Sequence, residues 1–181
     1  MRMHRLLAAT VCAAAVASPA VADSDFDPRF LANVSVGWNY FDDDRQFTQK
    51  EQYAYGAEFR FDPNWAAEVT FVRGETKAKY SDDSDRARYN EIRIDGLYYF
   101  TRDFGWQPYA AAGIGEAWFN EVEDTRFGER DEVRMNAGGG VRYIITDMVS
   151  VRGDLRGFYG FRDDTFDATA SIGFGLAFRL D

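Results

Sequence analysis

The stretch Val149-Ser150-Val151-Arg152-Gly153-Asp154-Leu155-Arg156 decides how this chain is read. Successive side chains of a strand point to opposite faces, so Val149, Val151, Leu155 and, further on, Tyr159 share one face while Ser150, Arg152, Asp154 and Arg156 share the other. Three ionic groups on one face of a strand and a clean apolar face opposite can serve two architectures. A soluble barrel turns its charges to water; a membrane barrel turns them into its lumen.

Working outward, the same period of two recurs across the chain. In 30–40, Ala32, Val34, Val36, Trp38 and Tyr40 oppose Asn33, Ser35, Gly37 and Asn39; in 52–61, Tyr53, Tyr55, Ala57, Phe59 and Phe61 oppose Gln52, Gly56, Glu58 and Arg60. Trp65, Ala67, Val69 and Phe71 then oppose Glu68 and Thr70 in 65–73, and Ile92, Ile94, Tyr98 and Phe100 oppose Glu91, Arg93 and Asp95 in 90–100. The segment 107–120 is rich in Gly and Ala and its faces are less distinct; Glu116 is placed inward. Val133, Met135, Ala137, Val141 and Tyr143 oppose Arg134, Asn136 and Arg142 in 133–145. In 167–180, Ala168, Ala170, Ile172, Phe174, Leu176, Phe178 and Leu180 oppose Thr169, Ser171, Gly173, Gly175 and Arg179. With 149–161 this gives eight strands.

Short turns at 62–64, 101–106 and 146–148 alternate with longer polar links at 41–51, 75–87 and 121–131 and a briefer one at 162–165, and all the long links fall on one end. An even strand count with short turns at one end and long loops at the other is the pattern of a closed, antiparallel up-and-down transmembrane β-barrel. The polar face decides against a soluble carrier. It combines Gly and Ser with Glu58, Arg60, Glu68, Arg93, Asp95, Arg134, Arg142, Arg152, Asp154 and Arg156, four acids and six bases. Opposed charges among small residues suit a narrow interior in which ions pair, whereas an Arg turned toward lipid costs about 2–4 kcal/mol at the bilayer midplane. Trp38, Tyr40, Trp65, Tyr98, Phe100 and Trp106 stand near strand ends, where aromatic girdles meet headgroups.

Composition agrees. The 181 residues hold 17% aromatics and 16 Gly, and a formal charge of −9 argues against binding nucleic acid. Arg2 and Arg5, an apolar run from Leu6 to Val16 and the small residues Ser18-Pro19-Ala20-Val21-Ala22 read as a signal peptide over 1–22, leaving a barrel domain over 23–181. Cleavage removes two arginines and no acid, so 19 basic residues face 30 acidic ones, for a formal charge of −11. It also removes the sole cysteine, Cys12, and the sole histidine, His4. The mature chain then has no disulfide, thiol or imidazole, and no cofactor motif.

Several motifs together resemble the eight-stranded transmembrane domain of the OmpA and OprF family of Gram-negative outer-membrane proteins. They are Gly37-Trp38-Asn39-Tyr40-Phe41, Phe61-Asp62-Pro63-Asn64-Trp65-Ala66-Ala67-Glu68, Asp95-Gly96-Leu97-Tyr98-Tyr99-Phe100, Gly105-Trp106-Gln107-Pro108-Tyr109, Asn136-Ala137-Gly138-Gly139-Gly140-Val141 and Val151-Arg152-Gly153-Asp154-Leu155-Arg156. The resemblance implies an outer-membrane location, outer-membrane lipid and lipopolysaccharide as surroundings, insertion by the barrel-assembly machinery, and a monomer. It implies a structural, surface-exposed envelope role, with a small-solute channel of OprF type as the alternative. Two departures stand out: no peptidoglycan-binding segment follows within these residues, and Phe178 is followed by Arg179-Leu180-Asp181 where members end on an aromatic.

Enzymatic barrels resemble one another in using a histidine, which the mature chain lacks, so no catalytic residue is assigned. Gly113-Ile114-Gly115, Gly138-Gly139-Gly140 and Gly173-Phe174-Gly175 lie inside strands with no helix to follow, which fits close strand packing better than phosphate loops. The acidic runs Asp42-Asp43-Asp44, Asp82-Asp83-Ser84-Asp85, Glu121-Val122-Glu123-Asp124 and Asp163-Asp164 lack the glycine and distal Glu of a calcium loop, so they are read as solvated loop tips and no metal site is assigned.

Overall fold

The computed structural model describes residues 29–40, 50–77, 86–101, 104–121, 130–162 and 164–179. The signal-peptide reading over 1–22 and the acidic runs at 42–44, 82–85 and 122–124 lie outside them. Eight strands follow in chain order: β1 (Arg29–Tyr40), β2 (Lys50–Arg60), β3 (Trp65–Lys77), β4 (Arg86–Tyr99), β5 (Trp106–Glu121), β6 (Arg130–Ile144), β7 (Val149–Gly160) and β8 (Thr165–Arg179). Each pairs antiparallel with its sequence neighbours, and β8 closes on β1, giving one closed barrel.

The faces follow the alternation. Val34, Tyr55, Val69, Ile92, Ile114, Met135, Leu155 and Phe174 are exposed on the outside. Glu58, Glu68, Asp95, Arg134, Arg142 and Arg156 are buried. The outer surface is thus a continuous apolar band, and the lumen takes the ionic side chains. Aromatic rings gather toward the short-turn end, with Trp65 against Tyr98 at 4.9 Å, Tyr98 against Phe100 at 5.4 Å and Trp106 against Tyr143 at 4.7 Å between centroids. At the other end Trp38, Tyr40, Tyr159 and Phe166 stand exposed.

Local chemistry shapes the short turns. The Asn64 amide N–H donates to Asp62 Oδ1 at 3.0 Å and the Asn64 side chain donates to the Tyr99 carbonyl at 2.7 Å, tying the β2–β3 turn to β4. Gly105 carries φ +104° in the β4–β5 turn, a left-handed conformation that favours glycine. The Thr146 hydroxyl accepts from the backbone N–H of Met148 at 3.3 Å and of Val149 at 3.1 Å, folding the β6–β7 turn.

Two expectations need correction. Glu116 points outward: it stands in register between Ile92 and Val133, both exposed on the apolar surface, while Gly115 and Ala117 face the lumen. The Gly- and Ala-rich stretch before it has too little polar contrast to mark a face, and Ile114 and Trp118 set the parity instead. The strands also run past the sequence-derived bounds. Glu75 pairs with Arg88, Thr76 with Ala87 and Lys77 with Arg86 in what reads as a loop. A span needs only about 9–11 residues. Beyond it the outer face meets headgroups and water, so hydrogen-bonded pairing continues after the apolar alternation has stopped.

Candidate functional site

The lumen is built by inward positions of seven strands: Asn33 of β1, Glu58 and Arg60 of β2, Glu68 of β3, Glu91, Arg93 and Asp95 of β4, Tyr109 of β5, Arg134 and Arg142 of β6, and Arg152, Asp154 and Arg156 of β7. Asp167 of β8 adds an eighth. The ten charges singled out from the sequence all lie here, and nine of them join one chain of ion pairs.

The chain starts near the short turns, where Arg142 grips Glu58 with both terminal nitrogens, Nη2 to Oε2 at 2.6 Å and Nη1 to Oε1 at 3.0 Å. Such a two-pronged contact fixes direction as well as distance. Arg152 reaches Glu58 at 3.9 Å, Glu68 at 2.7 Å and Asp154 at 2.9 Å. Arg156 comes next, 3.7 Å from Glu68, 2.8 Å from Asp154 and 2.6 Å from Asp95. Arg93 then links Asp95 at 3.1 Å to Glu91 at 3.3 Å. Arg134 ends the series, paired with Glu91 and with Asp167 at 2.8 Å. Signs alternate from one end of the lumen to the other, so each buried charge has neighbours of opposite sign, which is what a buried ion requires.

Neutral groups complete the shell. Tyr99 Oη donates to Glu58 Oε1 at 2.9 Å, Asn33 Nδ2 to Glu68 Oε1 at 2.9 Å and Asn136 Nδ2 to Asp95 Oδ1 at 2.8 Å. Tyr109 donates to Asp154 while accepting from Arg152 Nε at 2.6 Å, and Tyr89 bonds both Glu91 and Arg134. Arg60 is the tenth of the charges. It makes no ion pair among the described residues; it stacks 4.1 Å over the Tyr99 ring and donates to Gln107 Oε1 at 3.2 Å.

Sequence reasoning did not gather Glu91, Asp167, Tyr89, Tyr99 or Tyr109 into this set. Glu91 was already on the polar face of its strand, and parity alone would have added Tyr99 between Tyr98 and Phe100. The tyrosines escaped because aromatic residues of a barrel are first read as belonging outside.

Two cavities of about 30 Å³ each border the chain of ions. One lies against β1 and β8, lined by Asn33, Ser35, Gly56, Thr70, Ser171 and Gly173. Among the described residues Glu68 Oε2 and Thr70 Oγ1 have no hydrogen-bond partner. The other sits at the short-turn end. Each has room for about two waters, since one needs roughly 10–15 Å³ on this measure.

A closed barrel with an apolar exterior, aromatic ends and an ionic interior defines a transmembrane β-barrel. The chain belongs to the outer membrane protein beta-barrel domain family, whose family model matches residues 7–179, and its location is the outer membrane. It is similar to outer membrane porin F of Pseudomonas aeruginosa, 24% identical over 152 residues that cover 81% of this chain and 43% of that protein, so it spans less than half of that relative's length. Among solved structures, the N-terminal β-barrel domain of Pseudomonas aeruginosa OprF superposes with a TM-score of 0.61 at 18% identity, covering 82% of this chain and 97% of the other. Neisserial surface protein A gives 0.63 at 14% identity, covering 83% and 97%. Likeness at that identity carries the fold alone, and the charge arrangement belongs to this chain's own residues.

Proposed function

We propose that this protein is a structural, surface-exposed barrel of the outer-membrane envelope whose lumen is latched shut by paired ions. One observation carries the reading: the alternating series from Arg142 to Asp167 occupies the lumen along its length, and the two cavities that border it have room only for water. The same reading places 1–22 as a cleaved signal peptide, the long-loop end outside among lipopolysaccharide, and the short turns in the periplasm. Cysteine labelling at Asn64 on intact cells must then fail. It further takes the barrel as a monomer inserted by the barrel-assembly machinery.

The test is conductance of the purified protein in planar bilayers. Wild type gives small, intermittent currents, and the Glu68→Ala/Arg152→Ala double substitution, which removes a pair from the middle of the series, raises them. Large, steady currents proportional to salt in the wild type overturn the structural reading. They would favour a small-solute channel, to which the similarity to a porin and the cavity along β1 and β8 lend support.

A further inference from the structure

In the series of ions every guanidinium meets a carboxylate; at the short-turn end of the lumen that rule fails. Arg60 is 8% exposed, and no carboxylate of the described residues lies within ion-pair distance of it. Among the described residues its Nε has no acceptor, and neither has the Nε of Arg142, whose terminal nitrogens are spent on Glu58. Backbone register sets Arg60 beside Arg29, so two arginines stand side by side across β2 and β1. Like charges directly opposite one another destabilise a sheet, and the Gln107 carbonyl and the Tyr99 ring offset the Arg60 charge less than a carboxylate would. Arg29, Arg60 and Arg142 line the same cavity of about 30 Å³, and its one carboxylate is Asp147, exposed on the β6–β7 turn.

We infer that this end of the lumen binds a small oxyanion of phosphate type, its oxygens entering between Arg60 and Arg142 and its outer side facing Arg29. The planar guanidinium presents donors in a fork that matches such an anion. The cavity takes oxygen atoms rather than a whole organic ligand, so any larger part of the molecule stays outside the barrel. Binding at this end does not depend on whether the lumen conducts; only its assignment to the periplasm rests on the orientation proposed above. The same chemistry is offered by a free phosphate and by a phospholipid headgroup.

The experiment follows the arginine Nε–H resonances of the purified protein in a phosphate-free maltoside detergent while inorganic phosphate replaces chloride at constant ionic strength. Arg60 and Arg142 are expected to shift saturably, while Arg134, whose Nε is also unpartnered but at the far end of the lumen, stays still. Arg60→Gln raises the half-saturation concentration at least about tenfold, the loss of one charge-assisted contact. Arg29→Gln, on a half-buried rim residue whose loss spares the fold, raises it a few-fold, and Asp147→Asn lowers it. Heat-modifiable gel mobility verifies that each variant is folded. Shifts that grow linearly, that spread equally to Arg134, or that chloride alone reproduces would overturn the site. So would a folded Arg29→Gln together with a folded Arg60→Gln that both titrate as wild type. In phosphatidylglycerol nanodiscs without free phosphate, Arg60 already at its shifted position identifies a headgroup as the occupant; an unshifted Arg60 that still responds to added phosphate identifies the soluble ion.

Discussion

The β4–β5 wall of the lumen and the β8–β1 wall are lined by similar small residues, Ala111, Gly113, Gly115 and Ala117 on β5 against Ser171, Gly173, Ser35 and Gly37 on β8 and β1. Their interiors differ. A Cβ added at Gly113 would stand 2.1 Å from the Asp95 carboxylate as well as 2.2 Å from the Ile94 carbonyl oxygen, whereas one at Gly173 would meet no ionic group, only Val34 O at 2.5 Å and Ser35 Cβ at 2.6 Å. At the β8–β1 wall, Ser35, Ser171 and Gly173 border a cavity of about 30 Å³. Glycine content therefore does not determine where a barrel is hollow. The adjacent strand does: at this level β4 supplies Glu91, Arg93 and Asp95, whereas between Leu31 and Asn39 β1 turns only Asn33, Ser35 and Gly37 inward.

The largest effect expected is from Glu58, which anchors Arg142 and reaches Arg152. Glu58→Gln leaves Arg142 buried without a carboxylate and should lower unfolding free energy in detergent and urea by about 3–5 kcal/mol. A loss below about 1 kcal/mol would mean that lumen water already solvates these ions, and the contrast between a filled wall and a hollow one would collapse.

A sharper comparison adds a single methyl group to each wall. Gly113→Ala must displace Asp95 or the strand itself and should cost about 1–3 kcal/mol by overpacking. Ser171→Thr grows toward the cavity and should change stability by less than about 0.5 kcal/mol. Equal losses at the two positions would show that the walls are equally tight.

The smallest effect concerns the outer surface. Glu116 stands between Ile92 and Val133, and a carboxylate near the edge of the apolar band costs at most about 1 kcal/mol. Glu116→Leu should thus raise stability by up to that amount, opposite in sign to any loss inside the lumen. A destabilised Glu116→Leu would return this residue to a polar setting.

How much of this was legible in the sequence varied with the contrast available. In β7 the ionic residues Arg152, Asp154 and Arg156 alternate with Val151, Gly153 and Leu155, so their faces could be read directly, and the eight strands with their short turns gave the closed barrel. In β5, Ala110 to Gly115 offers almost no contrast, and Glu116 was placed on the wrong face. Which ions meet was not legible at all. Arg142 and Glu58 are 84 positions apart and on non-adjacent strands, so their contact depends on how closure staggers the strands, a global quantity that no local pattern encodes. Asp167 was passed over for a related reason: it stands at the start of β8, and its importance emerges only from its place opposite Arg134.

The pairing of β1 with β8 has a consequence for how the molecule is made. Seven of the eight strand interfaces join sequence neighbours, whereas the eighth brings Arg29 beside Arg179 and Tyr40 beside Ala168, across nearly the whole chain. Loop entropy makes that seam the slow, late event of folding. Until it forms, two strand edges lie open to pairing with any other chain. No ion pair of the series crosses the seam; Thr169 Oγ1 donating to Asn39 Oδ1 at 2.6 Å is a side-chain bond that does. The pairs that span the lumen, Arg142 with Glu58, Arg152 with Glu68 and Arg134 with Asp167, join non-adjacent strands, so they come together only as the sheet curls and the seam draws shut.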